Sequence, residues 1–183
     1  MDSYQNHMSH TVFSENIIFF DAEFTSLHPK NGEILSVAFV KPSGEELYLE
    51  ITRDRALSDE WVTANILPML DGNGISPKEA CDKIREFIGK GEPYLVSYVS
   101  HFDTVFVHKL FGDSERPFSR YPIDFASMLF TAGFNPSNLL ENDRLLSEAI
   151  GVEPSTHRRM HHALNDAQLL HETYGKLLRY IQK

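Results

Sequence analysis

The chain has 183 residues, 42% of them hydrophobic, with 17 Lys and Arg against 26 Asp and Glu, for a formal charge of -9. That size and apolar content allow one self-sufficient core, while the single cysteine, Cys81, excludes an intramolecular disulfide framework and no Cys/His spacing suits a structural zinc. The acidic balance excludes a protein that coats long nucleic acid by counterion release and is compatible with one that meets a short or end-bound anionic chain.

Residues 1–15 are polar, with neither a basic n-region nor an apolar run, so they read as a flexible arm rather than a signal peptide or a membrane span. Residues 16–183 read as one domain, cytoplasmic by default. The run 17–23 has apolar side chains on both faces, as a central strand covered twice requires, and 32–40 is a second such run. Lys41-Pro42-Ser43-Gly44 has turn chemistry. Beyond it, Leu47, Leu49 and Ile51 alternate with Glu46, Tyr48 and Glu50, which predicts a hairpin into a third strand with its polar side in solvent.

Ser58-Asp59-Glu60 and Ser76-Pro77-Lys78-Glu79 carry helix-start signals, the second helix running to about Gly91. A fourth strand is predicted over 94–99, a helix over 101–111 closed by Gly112, and a short fifth strand over 121–125. Helices follow at 127–130, at 139–150 and from about 162 to the end. The last places Ala163, Ala167, Leu170, Tyr174, Leu177 and Ile181 on one stripe. Three consecutive strands followed by strands alternating with helices predict an α/β fold: a mixed five-stranded sheet, a meander and then parallel strands, with helices on both faces.

Chance alone gives roughly four pairs of acids two positions apart in a chain of this composition. Three occur, Asp21/Glu23, Asp113/Glu115 and Glu141/Asp143, so spacing proves nothing by itself. Only Asp21 and Glu23 end a buried strand, where the period of two turns both carboxylates to one face. Two like charges there are costly without a cation, although a solvated strand end would also explain them.

Asp103 follows the fourth strand, and Ser100-His101-Phe102-Asp103 fits a capping box, which is its simplest role. Asp166 borders the small residues Ala163 and Ala167 of the last helix, an unusual place for a merely solvating acid. His161 precedes Asp166 by five residues, about 140° around a helix. The two reach one site only if His161 stands in the loop before the helix.

In this order the motifs resemble the DEDDh 3'-5' exonucleases, the superfamily of RNase T and the proofreading subunits, with an RNase H-like fold. Ile18-Phe19-Phe20-Asp21-Ala22-Glu23-Phe24-Thr25-Ser26-Leu27 resembles the first motif, Asp103 with Phe102 and Phe106 the second, and residues 161–167 the third. Segments Phe20 to Phe24 and Asn65-Ile66-Leu67-Pro68 also bear a faint likeness to small bacterial exoribonucleases. Many members have Thr-Thr-Gly after the first glutamate and Asn two positions before the second aspartate, whereas this chain has Phe24-Thr25-Ser26 and His101. Both departures fall where the family grips the terminal nucleotide.

The resemblance implies two Mg²⁺ or Mn²⁺ ions on Asp21, Glu23, Asp103 and Asp166, with His161 as general base. It implies a terminal nucleotide met by Phe24, Thr25 and Leu27, Phe24 being equally readable as core. The implied partner is the 3' end of single-stranded RNA or DNA, RNA or short oligonucleotides being favoured, with a homodimer allowed. A DNA proofreading-type exonuclease and a catalytically silent nucleic-acid-binding module on the same fold are the alternatives. Arg158 and Arg159 could meet a phosphate but read first as solvated.

Overall fold

The computed structural model describes residues 16–112, 114–137, 144–151 and 161–182; the arm at 1–15, Asp113, Glu141 and Asp143, the start of the helix expected from 139, and Arg158 and Arg159 lie outside the described residues. The sheet consists of β1 (Ile17–Phe24), β2 (Ile34–Val40), β3 (Glu46–Glu50), β4 (Tyr94–Ser97) and β5 (Ile123–Asp124). Its order is β3-β2-β1-β4-β5, with the first three strands antiparallel and β4 and β5 parallel to β1 and to each other. This is the expected mixed sheet of an RNase H-like fold.

Alternation along β1 divides the core in two. Ile17 and Phe19 pack on one face with Ala38, Val40 and Val96, covered by α4 (Phe125–Thr131) and the long α6 (Ala163–Ile181). Ile18, Phe20, Ala22 and Phe24 pack on the other with Val37, Phe39 and Leu95, covered by α2 (Pro77–Ile88) and α3 (Ser100–Phe111). Among the described residues there are two further short α-helices, α1 (Glu60–Asn65) after β3 and α5 (Arg144–Ile150) before α6. Among the described residues, no helix is long and apolar enough to cross a membrane.

Local signals explain most boundaries. Ser76 accepts the Glu79 N–H (3.2 Å) ahead of Pro77, and α2 stops at Ile88, short of Gly91, because Gly89 turns the chain at φ 73°. Gly112 at φ 56° closes α3 as expected.

Three expectations are corrected. Ser100 does not cap: Val99 occupies that position, and the Ser100 hydroxyl bonds Asp124 (3.2 Å), leaving Asp103 free of a capping box. Glu50 is buried rather than solvated, because its carboxylate accepts the N–H groups of Asp71, Gly72 and Asn73 (2.6, 2.9 and 3.1 Å). Ile181 is exposed although the rest of its stripe is buried, since the helix has by then run past the sheet.

The chain after β1 folds back tightly: the Thr25 N–H donates to the Glu33 carbonyl (2.8 Å), and the Gly32 N–H to the His28 carbonyl (2.7 Å). A β-carbon on Gly32 would lie 2.0 Å from the Ser26 carbonyl oxygen and 2.8 Å from the Phe106 ring. Gly175, inside α6, would meet only ordinary contact at 3.6 Å. Gly32→Ala should therefore destabilise by about 1–3 kcal/mol through overpacking. Gly175→Ala should instead stabilise by about 0.5–1 kcal/mol through helix propensity. Urea unfolding of both variants checks the pair of opposite signs.

Candidate active site

The odd-numbered residues of β1 face α6, so Asp21 and Glu23 continue the line of Ile17 and Phe19 toward the carboxyl end of the strand. Their partners across the ladder on β2 are small, Ala38 opposite Asp21 and Ser36 opposite Glu23. On the helix side, Ala163 and Ala167 are fully buried. Small residues on both sides let the first turn of α6 approach the sheet closely, and that approach delivers Asp166. Asp21, Glu23 and Asp166 each present a carboxylate oxygen within 4.8 Å of the others.

Asp103 joins from the opposite helical layer. It is 6% exposed, one turn into α3, directly beyond the carboxyl end of β4. The backbone N–H of Ala22, the residue between Asp21 and Glu23, interacts with its carboxylate, as does its own N–H. The buried Ser97 hydroxyl makes no close hydrogen bond but is near enough to favour the charged carboxylate.

The electrostatics follow from this crowding. Burial pushes the Asp21 carboxyl well above the usual carboxylate range, with the negative charges of Asp103, Asp166 and Glu23 adding to it. Glu23 is pushed up to about 8, first by burial and then by Asp166 and Asp103. Burial raises Asp103 to about 7 despite the N–H groups that pull the other way. Without a counter-charge these acids cannot all ionise at neutral pH. The donor set is entirely oxygen, which suits hard divalent cations such as Mg²⁺ or Mn²⁺ rather than softer metals.

His161 stands just before α6, as its offset from Asp166 requires. It is the only non-glycine among the described residues with positive φ (60°), a left-handed conformation costing about 1–2 kcal/mol for such a residue. Its ring meets Trp61 of α1 edge-on, centroids 5.0 Å apart and planes at 89°. His162 takes the cap position of α6 and stacks on Tyr48 (4.8 Å), with Nδ1 buried and unpartnered.

Of the residues expected to meet substrate, Phe24 turns into the core against Phe106 (4.3 Å). Thr25 is buried, its hydroxyl accepting the Glu33 N–H (3.0 Å) and its carbonyl the Asp59 N–H (2.9 Å). Leu27 is 54% exposed. Trp61 was not singled out by sequence; a hundred residues separate it from His161, and a lone aromatic in a short polar helix gives no periodic signal.

No family model and no curated protein matches the chain. Solved structures do. The nuclease domain of 3'hExo, a DEDDh family member bound to rAMP, aligns with a TM-score of 0.68 and 14% identity over 89% of this chain and 91% of that one. The zinc-bound E. coli ExoI–ssDNA complex aligns at 0.64 and 15% over 91% of this chain, which spans only 40% of ExoI. S. pombe Pop2p, in its Mg²⁺- and Mn²⁺-bound form, aligns at 0.60 and 13% over 96% and 87% of the two chains.

Proton linkage gives a test. Glu23 keeps its proton up to about pH 8 in the folded protein but releases it near 4.5 when unfolded. Folding thus takes up a proton between those values, and metal-free stability falls as pH rises through that window. In EDTA the melting temperature should drop from pH 5 to pH 8, and Glu23→Gln should flatten the drop. Added Mn²⁺ should stabilise the parent more at pH 8 than at pH 5, since metal and protons compete; thermal melts across pH check both. On these observations the chain has the RNase H-like fold of the DEDDh 3'-5' exonucleases.

Proposed function

We propose that this chain is a metal-dependent 3'-to-5' exonuclease acting on single-stranded nucleic acid, RNA or short oligonucleotides in preference to DNA, and releasing 5'-mononucleotides. The observation that carries the reading is the convergence of Asp21, Glu23 and Asp166 from two elements, with Asp103 held beside Ala22. A silent binding module has no use for so costly a cluster. The rAMP bound to one structural neighbour and the ssDNA bound to another support a nucleic-acid substrate.

In this reading the four carboxylates hold two ions, Mg²⁺ or Mn²⁺. When bound, such cations supply the positive charge that acidifies the attacking water and offsets charge on the departing oxygen. His161 accepts the proton of that water. Water adds to the terminal phosphorus, the bond from phosphorus to the preceding 3' oxygen breaks, and a nucleoside 5'-monophosphate leaves a new 3' end. Glu23 lies toward the terminal 3' hydroxyl, and exposed Leu27 wedges against the last base. Phe24 and Thr25 contribute the shape of the loop, because the Phe24 ring is core and the Thr25 backbone is already bonded. A cytoplasmic setting fits the single cysteine. The homodimer allowed by sequence finds no support in the comparisons.

With Mn²⁺ and 5'-labelled RNA or DNA, the expected product is a ladder shortening from the 3' end. A 3'-phosphate should block it and a circular strand should be untouched. Cleavage of the circle, or no hydrolysis of either polymer, overturns the reading, while DNA degraded faster than RNA favours the proofreading alternative. His161→Ala should lower turnover by ~10²-fold or more, the range usual for a general base, whereas His162→Ala should spare it.

A further inference from the structure

We propose that Trp61 is a positioning residue for His161, its indole fixing the imidazole in the orientation used for proton transfer. The inference deepens the exonuclease reading and rests on it. The edge-on arrangement of the two rings at 5.0 Å and 89° is an attractive geometry for aromatic side chains. His161 lies outside the hydrogen-bond ladder of α6, with its backbone in a left-handed conformation that neighbouring structure must hold. Trp61 is the ring that meets it.

The indole in turn is carried on a fixed element. Val62 and Ile66 are buried against Leu35 of β2, the Asp59 N–H is tied to the Thr25 carbonyl (2.9 Å), and the Asn65 amide donates to the Trp61 carbonyl (2.8 Å). A core role does not explain the residue, since Trp61 is 53% exposed. A rigid wall beside a strained residue narrows the orientations open to the imidazole, so that more encounters have it aligned for the proton.

An exposed indole beside His161 has an obvious competing use, as a platform on which a base stacks. The two roles differ in coupling. A residue that acts through His161 loses its effect once His161 is gone; a base platform keeps its own.

The test compares the full chain with Trp61→Ala, Trp61→Phe, His161→Ala and the double variant Trp61→Ala/His161→Ala, using Mn²⁺ and a 5'-labelled RNA oligonucleotide. Trp61→Ala should lower kcat by roughly 10–100-fold, the effect of misplacing a catalytic group, with KM nearly unchanged. Trp61→Phe should recover most of the loss, and the double variant should be no slower than His161→Ala. Trp61 is the single tryptophan of the chain, so its emission reports the contact directly, and His161→Ala should change that emission. Unchanged emission, a raised KM, or losses that multiply in the double variant would each overturn the proposal. Absence of hydrolysis by the parent would instead remove the exonuclease reading on which it rests, whatever the emission shows.

Discussion

Every feature of the site depends on β1 having to satisfy two cores at once. Its even-numbered side chains are committed to the layer of α2 and α3, and its odd-numbered ones to α6. A strand buried on both faces has no solvent side on which to place polar residues. Acids at positions 21 and 23 therefore lie under a helix unless the sheet ends first. Here the strand continues to Phe24 and pairs with β2 from Phe19 onward, with a register shift only between Glu23 and Phe24, so the carboxylates remain in the fold and crowd against Asp166.

The crowding is sustained by packing around it. Phe20 stacks on Phe39, Phe24 packs tilted against Phe106, and Phe19 meets Tyr174 edge-on, which encloses β1 in aromatic contacts on both faces. Such contacts hold the backbone against the electrostatic repulsion at its end. Packing stabilises the middle of the strand while the crowded carboxylates load its tip, the division expected where an acidic cluster conflicts with its own scaffold.

Much of this was legible in the sequence because it rests on local period. The apolar run of β1, the alternation of β3 and the stripe of α6 each follow from spacing, and the parity of Asp21 and Glu23 by itself puts them on one face. The misreadings at Glu50, Asp103 and Trp61 involve distant partners. Glu50 read as solvated because the three amides that bury it lie some twenty residues away. Asp103 read as half of a capping box because Ser100 supplied a plausible partner nearby, whereas the group that engages it belongs to Ala22. Trp61 had no local signature at all. Local rules see hydrogen bonds that close within a turn, and these interactions close across the sheet.

The margins of the sheet have a colloidal consequence. An open strand edge is a template on which another chain can add a strand. On one side the sheet ends in β5, two residues long and passing at once into α4. On the other, the end of β3 is occupied by its own chain, Ile75 donating to the Glu50 carbonyl (2.9 Å) and accepting the Thr52 N–H (2.8 Å). One margin is too brief to template growth and the other is partly self-sealed, and a net charge of -9 keeps copies apart at longer range. A concentrated solution of the folded chain thus has little tendency toward sheet extension.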